Sequence, residues 1–285
     1  MVDVKRIEAL FKAGKTKERI SEVLQVPIHI VDSTLKYTGN LFKNNPVVCD
    51  SKTIILADIH YGHHSEKNLS AALNFIYHYK PDRIILLGDI ANFDSVSFYL
   101  KNSRREAEGK RLKKDMQDLD EAIKRIDNVI PKTCQKIFLY GNHEHRVNLY
   151  LDMHPELEGL LDLDPILKNY ETYEYMKPYI LDNTIYVHGK RFNKYIWNSM
   201  LDAYGIDVVF GHVHSAGMMR KTFYDHSIVA YSVGSLCKMD LPYLQHRPTR
   251  WNNSIMLAES SNGISTKTNI DISNGILNYN GRIYK

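Results

Sequence analysis

This chain predicts an α/β fold, and three observations lead there. Five apolar runs, each about the length of a buried strand, end in turns that carry Asp, Asn or His. Between several of them lie stretches with helical spacing of apolar residues, the alternation that builds sheets from βαβ units. The first forty residues show short helical patterns only, and so stand apart. At 285 residues the chain can bury a substantial core, either one large domain or one domain with a small appendage. Its 44% hydrophobic and 25% charged residues fit an ordinary globular protein and exclude a disordered one. A formal charge of +4 permits an anionic partner without by itself indicating nucleic acid.

Within residues 1–40, Val4, Ile7, Leu10 and Phe11 share a helical face that Gly14 closes. Thr16 can cap a second helix with Ile20, Val23 and Leu24, and Gln25-Val26-Pro27 turns into a third with Ile28, Val31 and Leu35. The trio resembles a homeodomain-like helix-turn-helix, which would put His29, Ser33 and Lys36 on the exposed face of a recognition helix. That face is poor in arginine, so a helical cap on the rest of the chain or on another subunit is the plainer alternative. Residues 41–47 read as a linker, and 48–285 as the catalytic domain.

In that second part, strand Thr53–Asp58, a helix over about Glu66–Tyr79 and strand Arg83–Leu87 form a βαβ unit. Ser103 and Glu106 can form a capping box ahead of a long stripe of Leu112, Met116, Leu119, Ile123, Ile126 and Ile130, which Pro131 ends. The stripe fits a helix laid on one face of a sheet, with a coiled-coil dimer seam as the alternative. Basic residues at its start, Lys110 among them, read as a solvated face. Strand Gln135–Tyr140 follows, then Asn148–Tyr175 as irregular helix and loop over the mouth of the site. Thr184–Val187, helix Asn193–Tyr204 and Asp207–Phe210 restore the alternation, and strands Ser227–Val233, Ser254–Leu257 and Ile264–Ile272 make the end β-rich. Cys49, Cys134 and Cys237 lack metal-ligand spacing and read as buried small apolar residues in a reducing compartment. With no run of membrane-spanning length and no signal-peptide pattern in Met-Val-Asp-Val-Lys-Arg, a cytoplasmic, membrane-free location is expected.

The chemistry gathers at the ends of the five runs. Thr53–His60 ends in Asp58-Ile-His60, two ligand types that alternation puts on one face. Two adjacent divalent ions need several N or O ligands, a bridging oxygen and open positions for water and substrate. Asp58 and His60 can hold one ion, with His214 returning to it. Asp89, after Gly88, can bridge, while Asn142, His188 and His212 serve the second.

Taken together, Asp58-Ile-His60, Gly88-Asp89, Gly141-Asn142-His143-Glu144, Val187-His188-Gly189 and Gly211-His212-Val213-His214 resemble the five motifs of the calcineurin-like metallophosphoesterase superfamily, in its order. The resemblance implies a four-layer αββα sandwich and two divalent ions, Mn²⁺ first, with Fe, Zn, Ni or Mg as alternatives. It also implies a metal-bridging hydroxide as nucleophile and His143 as proton donor, with Asp89 and Asn142 beside it and Glu144 in support. No covalent phosphoenzyme is implied.

Phosphoprotein phosphatases of the superfamily carry Gly-Asp-x-x-Asp-Arg-Gly, whereas Gly88–Asp94 here has no such arginine and places Asn92 where an acid is usual. The stretch His60-Tyr61-Gly62-His63 resembles nuclease and phosphodiesterase members, including Mre11/SbcD-like exonucleases. The tail with Gly234-Ser235-Leu236-Cys237 resembles phage and bacterial DNA-repair-exonuclease-like members. The expected activity is therefore a phosphodiesterase acting on DNA, with a small-molecule or cyclic-nucleotide phosphohydrolase, or a phosphomonoesterase or protein phosphatase, as alternatives. His63, Arg146, Arg247 and Arg250 are the candidate substrate-binding residues, and Tyr243 and Trp251 could stack a base.

Overall fold

The structure, a computed structural model, describes residues 4–31, 34–35, 51–98, 107–190, 195–241, 244, 248–261 and 264–285. The chain divides into two compact units, Met1–Val47 and Val48–Lys285.

In the first unit, α1 (Val4–Lys12) and α2 (Lys17–Leu24) precede helical residues at 28–31 and 34–35. Thr16 Oγ1 accepts from Arg19 N at 3.3 Å, and Gln25 closes α2 in the left-handed region. Ile7, Ile20 and Val31 are fully buried, ringed by Leu10, Leu24, Val26 and Leu35. Phe11 and Val23 depart from the expected apolar face and are about half exposed, at 47% and 49%. With nine and eight residues, these helices bury only the side chains that meet at their crossing. His29 is exposed, while Ser33, Lys36 and the 41–47 linker lie outside the described residues.

The second unit is built on two sheets. The larger has the order β13-β12-β11-β10-β1-β2-β3-β4 and the smaller β5-β6-β7-β9-β8. Their strands are β1 (Ser51–Leu56), β2 (Arg83–Leu86), β3 (Gln135–Leu139), β4 (Glu171–Tyr173), β5 (Tyr179–Leu181), β6 (Thr184–Val187), β7 (Asp207–Phe210), β8 (Gly217–Thr222), β9 (Ser227–Ser232), β10 (Ser254–Ser261), β11 (Ile264–Ser273), β12 (Ile276–Tyr279) and β13 (Arg282–Tyr284). Strands β1 to β4 run parallel, as do β6, β7 and β9, whereas β10 joins β1 antiparallel.

Alternation along the central strands explains why their runs are apolar throughout. Ile54, Leu56, Ile84, Leu86 and Phe138 face α3 (Glu66–Tyr79) and α4 (Leu112–Asp127). Ile55, Leu87, Ile137 and Leu139 point the other way and meet Tyr186 and Val209 of the smaller sheet. Ile185, Val187, Val208 and Phe210 then bury against α7 (Ile196–Tyr204). Each sheet is therefore covered on both faces, and the layers are α/β/β/α. The stripe on α4 is the expected cover of the sheet, with Leu119, Ile123 and Ile126 buried in that core.

Several boundaries differ from expectation. The capping box of Ser103 and Glu106 falls outside the described residues. The 148–175 segment is not a loop over the site. It begins within α5 (His145–Met153), passes through α6 (Asp164–Leu167) and ends as edge strand β4, burying Leu163, Leu167 and Tyr170 in the helix-side core. Cys134 and Cys237 are buried and unpaired, and Cys49 is outside the described residues. Among the described residues, no helix is long and apolar enough to cross a membrane.

Candidate metal centre

The carboxyl ends of β1, β2, β3, β6 and β7 converge, and their loops carry the polar residues. Five of these are held at positive φ: Asp58 at 52°, His60 at 48°, Asp89 at 53°, His212 at 69° and His214 at 56°. An L-residue there costs on the order of 1–2 kcal/mol, so tertiary contacts must sustain each one. Beyond the strand ends, the β1 and β2 loops stay paired: the N–H groups of Asp58, His60 and Tyr61 donate to Gly88 O, Asp89 O and Ile90 O at 3.0, 2.9 and 2.8 Å.

Glu144, fully buried, accepts from the N–H groups of Asp89, Ile90, Ala91 and Gly141 at 2.9, 2.8, 3.2 and 2.9 Å. Its carboxylate fixes the β2 and β3 loops against each other, which makes it a support for backbone. Burial, reinforced by Asp89, pushes its pKa up to about 7, and the N–H groups oppose that rise. Two glycines permit the close approach. A Cβ on Gly88, at φ +91°, would lie 2.6 Å from Gly141 Cα, and one on Gly141 would overlap Asp89 Oδ1.

The donor atoms form three overlapping groups of three, two of them made of proposed ligands alone and the third of His60, Asp89 and His143. Asp58, His60 and His214 offer atoms within 4.8 Å of one another, as do Asp89, His188 and His212. His60 Nε2 and His214 Nε2 are 3.1 Å apart, with Asp58 Oδ1 3.2 Å from His214 Nε2. In the second triad, His188 Nε2 lies 3.2 Å from Asp89 Oδ2 and 3.1 Å from Asn142 Oδ1. Asp89 Oδ2 is also 3.8 Å from His60 Nε2, so this carboxylate stands between the two groups. All seven sequence-proposed ligands thus meet at one place.

Whether these residues suit cations can be judged from the far side of each ring. His188 Nδ1 meets Leu87 O at 2.8 Å, an acceptor only, so Nδ1 keeps a proton and Nε2 is the nitrogen that gives up its own when a cation binds. His60 Nδ1 meets Asn92 Oδ1 at 2.9 Å, and His214 Nδ1 meets Cys237 Sγ at 3.6 Å. Asp58 Oδ1 is buried without an aligned hydrogen-bond partner, an oxygen left over for a ligand. Burial raises the cost of both carboxylates, yet neighbouring imidazoles hold Asp58 and Asp89 below the usual carboxylate range. Against the same burial, Asp89 lifts His188 to about 9 and Asp58 lifts His214 to about 10. The centre therefore demands positive charge, and the donor set fits two divalent ions.

His143 is not one of the seven proposed ligands, yet it groups closely with His60 and Asp89. Its Nε2 is 3.8 Å from Asp89 Oδ2, and its N–H donates to Asp89 Oδ1 at 2.9 Å. Nδ1 lies 2.7 Å from Asn92 O, so the proton of the neutral ring sits on Nδ1. Burial holds its pKa well below the ordinary imidazole range. Arg146, one turn along α5, brings Nη2 to 3.1 Å from His143 Nε2 and Nη1 to 2.8 Å from Asn92 O. Asn92 was not among the expected site residues. Its side chain orients His60 while its carbonyl binds His143 and Arg146, a role that a position normally acidic could have signalled.

Other expected substrate residues are scattered. His63 Nε2 stands 3.5 Å from Asp94 Oδ2 at the edge of the centre, and Arg250 is exposed. Arg247 and Tyr243 lie outside the described residues. Trp251 packs its ring on His214 at 4.2 Å between centroids, and Tyr175 stacks on His145 at 5.0 Å beside His188.

Residues 51–216 match the family described as calcineurin-like phosphoesterase. The gene 54 protein of Mycobacterium phage D29 is 24% identical over 228 residues, covering 72% of this chain and 88% of that protein. Among solved structures, vacuolar protein sorting 29 of Cryptosporidium parvum aligns with a TM-score of 0.49 at 10% identity, over 80% of this chain and 95% of that one. A dimetal phosphatase of Danio rerio aligns at 0.33 and 12%, over 80% of this chain and 100% of the other. The sequence match spans more than half of the chain and includes every ligand of both triads, so the chain belongs to the calcineurin-like phosphoesterase family and is a metal-dependent phosphoesterase.

Proposed function

We propose that the chain is a dimetal phosphodiesterase acting on DNA, with Mn²⁺ as the favoured ion. One observation carries this reading: the Asp58–His60–His214 and Asp89–His188–His212 groups meet around Asp89, and His143, grouped with His60 and Asp89, stands between them as an imidazole that the seven proposed ligands do not include. Asp58, His60, Asp89 and His214 would hold one ion, and Asp89, Asn142, His188 and His212 the other. Such ions supply a nucleophile at neutral pH and positive charge for the phosphoryl oxygens.

The chain's own residues do the rest. Asn92 and Leu87 O fix the rings of His60 and His188 so that Nε2 faces the centre. Glu144 holds the backbone that carries Asp89, Asn142 and His143. His143 keeps one proton on Nδ1 against Asn92 O, so its Nε2 must first take up a proton from solvent, which the charge of Asp89 favours, before passing it to the departing oxygen. Arg146 lies on α5, outside the Gly88–Asp94 segment, which carries no phosphatase-type arginine. The DNA assignment is supported by that missing phosphatase arginine, by the net charge of +4 and by the helical first unit with exposed His29.

The test is hydrolysis by the Mn²⁺-loaded protein of a nitrophenyl phosphodiester beside the matching monoester, with end-labelled single- and double-stranded DNA in parallel. Cleavage of diester and DNA is the expected result. Monoester preference with intact DNA moves the protein to the phosphatases and makes the first unit a docking element. Deleting residues 1–40 should weaken DNA binding while leaving small-diester turnover in place, and unchanged DNA affinity would remove the helix-turn-helix reading.

A further inference from the structure

Beside the metal centre, three cationic side chains converge on one carboxylate. Arg146 Nη1 lies 3.4 Å from Asp94 Oδ1, His63 Nε2 is 3.5 Å from Oδ2, and Lys110 Nζ bonds the same Oδ2. They come from α5, from the loop after β1 and from the turn before α4, so no local helical pattern brings them together. Asp94 itself sits in the short 3₁₀ turn Asp94–Val96 that follows the Asp89 loop.

Among the described residues, three basic side chains crowd one carboxylate, Asp94. The next carboxylate, Asp115, is engaged by the N–H and hydroxyl of Ser95. Gathering like charges is unfavourable unless an anion joins them. His63 and Lys110 keep 41% and 29% of their side-chain surface open, so an anion can reach them.

Position decides which anion. Arg146 bridges the cluster to His143, whose Nε2 is 3.1 Å from Nη2. A proton donor faces the oxygen that leaves, so the cluster extends from the leaving-group side of the reaction. We propose that Arg146, Lys110 and His63, gathered on Asp94, form a second anion pocket that takes a phosphate carried by the leaving group. The proposal rests on the phosphodiesterase reading with His143 as donor, and it sharpens the substrate class. Preferred substrates are nucleotide chains in which the departing sugar bears another phosphate, rather than isolated diesters. Asp94 is a positioning residue that holds the three side chains as a unit.

The experiment compares dithymidine monophosphate with its 5′-phosphorylated and 3′-phosphorylated forms, using the Mn²⁺-loaded full chain and identifying the products. Products show which sugar leaves. The form whose extra phosphate leaves with that sugar should have a kcat/KM about tenfold above the unphosphorylated dinucleotide, the combined effect of the pocket's partly exposed contacts. Lys110→Gln should cut that ratio to about threefold, since two of the three contacts remain. Lys221→Gln, on edge strand β8 and paired with Asp202, should leave the ratio unchanged. Equal kcat/KM for all three dinucleotides, or preference for the form whose extra phosphate stays behind, overturns the pocket.

A second readout needs no turnover. Calorimetric titration of the metal-free, full-length protein with the same dinucleotides should show tighter binding of an end-phosphorylated form, and Lys110→Gln should narrow that difference to about threefold. If no dinucleotide is cleaved but this difference appears and depends on Lys110, the pocket stands and the phosphodiesterase reading falls. If neither cleavage nor the binding difference appears, both fall.

Discussion

Positive φ has different causes in the hairpins of this molecule and at its metal centre. In the hairpins, Asp182-Asn183 joins β5 to β6, Asn274-Gly275 joins β11 to β12, and Asn280-Gly281 joins β12 to β13, with both residues of each pair at positive φ. These are two-residue turns whose left-handed backbone matches strand twist, and Asn, Asp and Gly adopt it readily. At the metal centre the same backbone region is occupied by Asp58, His60, Asp89, His212 and His214, most of them buried. There the residue type is set by the chemistry, and the conformation is imposed from outside by Glu144, by inter-loop hydrogen bonds and by glycine contacts. Left-handed backbone is thus local preference in one region and tertiary constraint in the other.

Breaking the shared carboxylate should separate the two regions most. Asp89→Asn removes the nearer of the two carboxylate charges that raise His188 and replaces one of the two oxygens that stand between the triads. Turnover should fall by at least about 10³-fold, and metal content measured on the purified protein should fall with it. The thermal unfolding of the hairpin-rich sheet should change far less, since no hairpin residue touches Asp89. Retained metal at two ions per chain would show that the bridging position is wrong. His143→Ala should come next, with about 10²–10⁴-fold loss on diesters with poor leaving groups, a smaller loss on nitrophenyl esters, and metal content intact. Full activity on a natural diester would remove the proton-donor role.

Asn92→Ala probes the layer behind the ligands. It deletes the acceptor for His60 Nδ1 but leaves the carbonyl that binds His143 and Arg146. Metal affinity should weaken about 10–100-fold, read by chelator competition, and turnover should recover at saturating Mn²⁺. A loss that excess metal does not restore would mean that the side chain acts on His143 instead.

That division between side chain and carbonyl marks the limit of what could be read from the residues alone. The cluster of donor residues was legible because Asp, Asn and His follow apolar runs at five strand ends, and the parallel strands of two packed sheets bring those ends to one side. The inward faces of β1, β2 and β3 were legible too, because two-sided burial makes an unbroken apolar run. Asn92 was not, because half of its role uses a backbone carbonyl, which carries no residue signal. The 148–175 segment was misplaced because edge strand β4 is only three residues long, too short for alternation to declare itself. Strands β12 and β13 fell beyond the expected β-rich end although Asn274-Gly275 and Asn280-Gly281 are direct hairpin signals. They were overlooked because the strands they join are four and three residues long.

The smallest expected effect isolates the hairpin side of the comparison. Gly281 sits at φ +76°, and a Cβ built there meets nothing within 4 Å. Gly281→Ala therefore tests left-handed strain without a clash. Two contributions oppose each other: alanine in this region costs about 1–2 kcal/mol, while the loss of glycine's freedom in the unfolded chain returns about 0.4–1 kcal/mol. The net should be a destabilisation near 1 kcal/mol by denaturant unfolding, with metal content and kcat/KM unchanged. Asn280, at φ 49° in the same turn, already shows that a side chain is tolerated in this backbone region. A change in turnover would mean that the C-terminal hairpin is coupled to the metal centre, and the separation between local and imposed left-handed backbone would not hold.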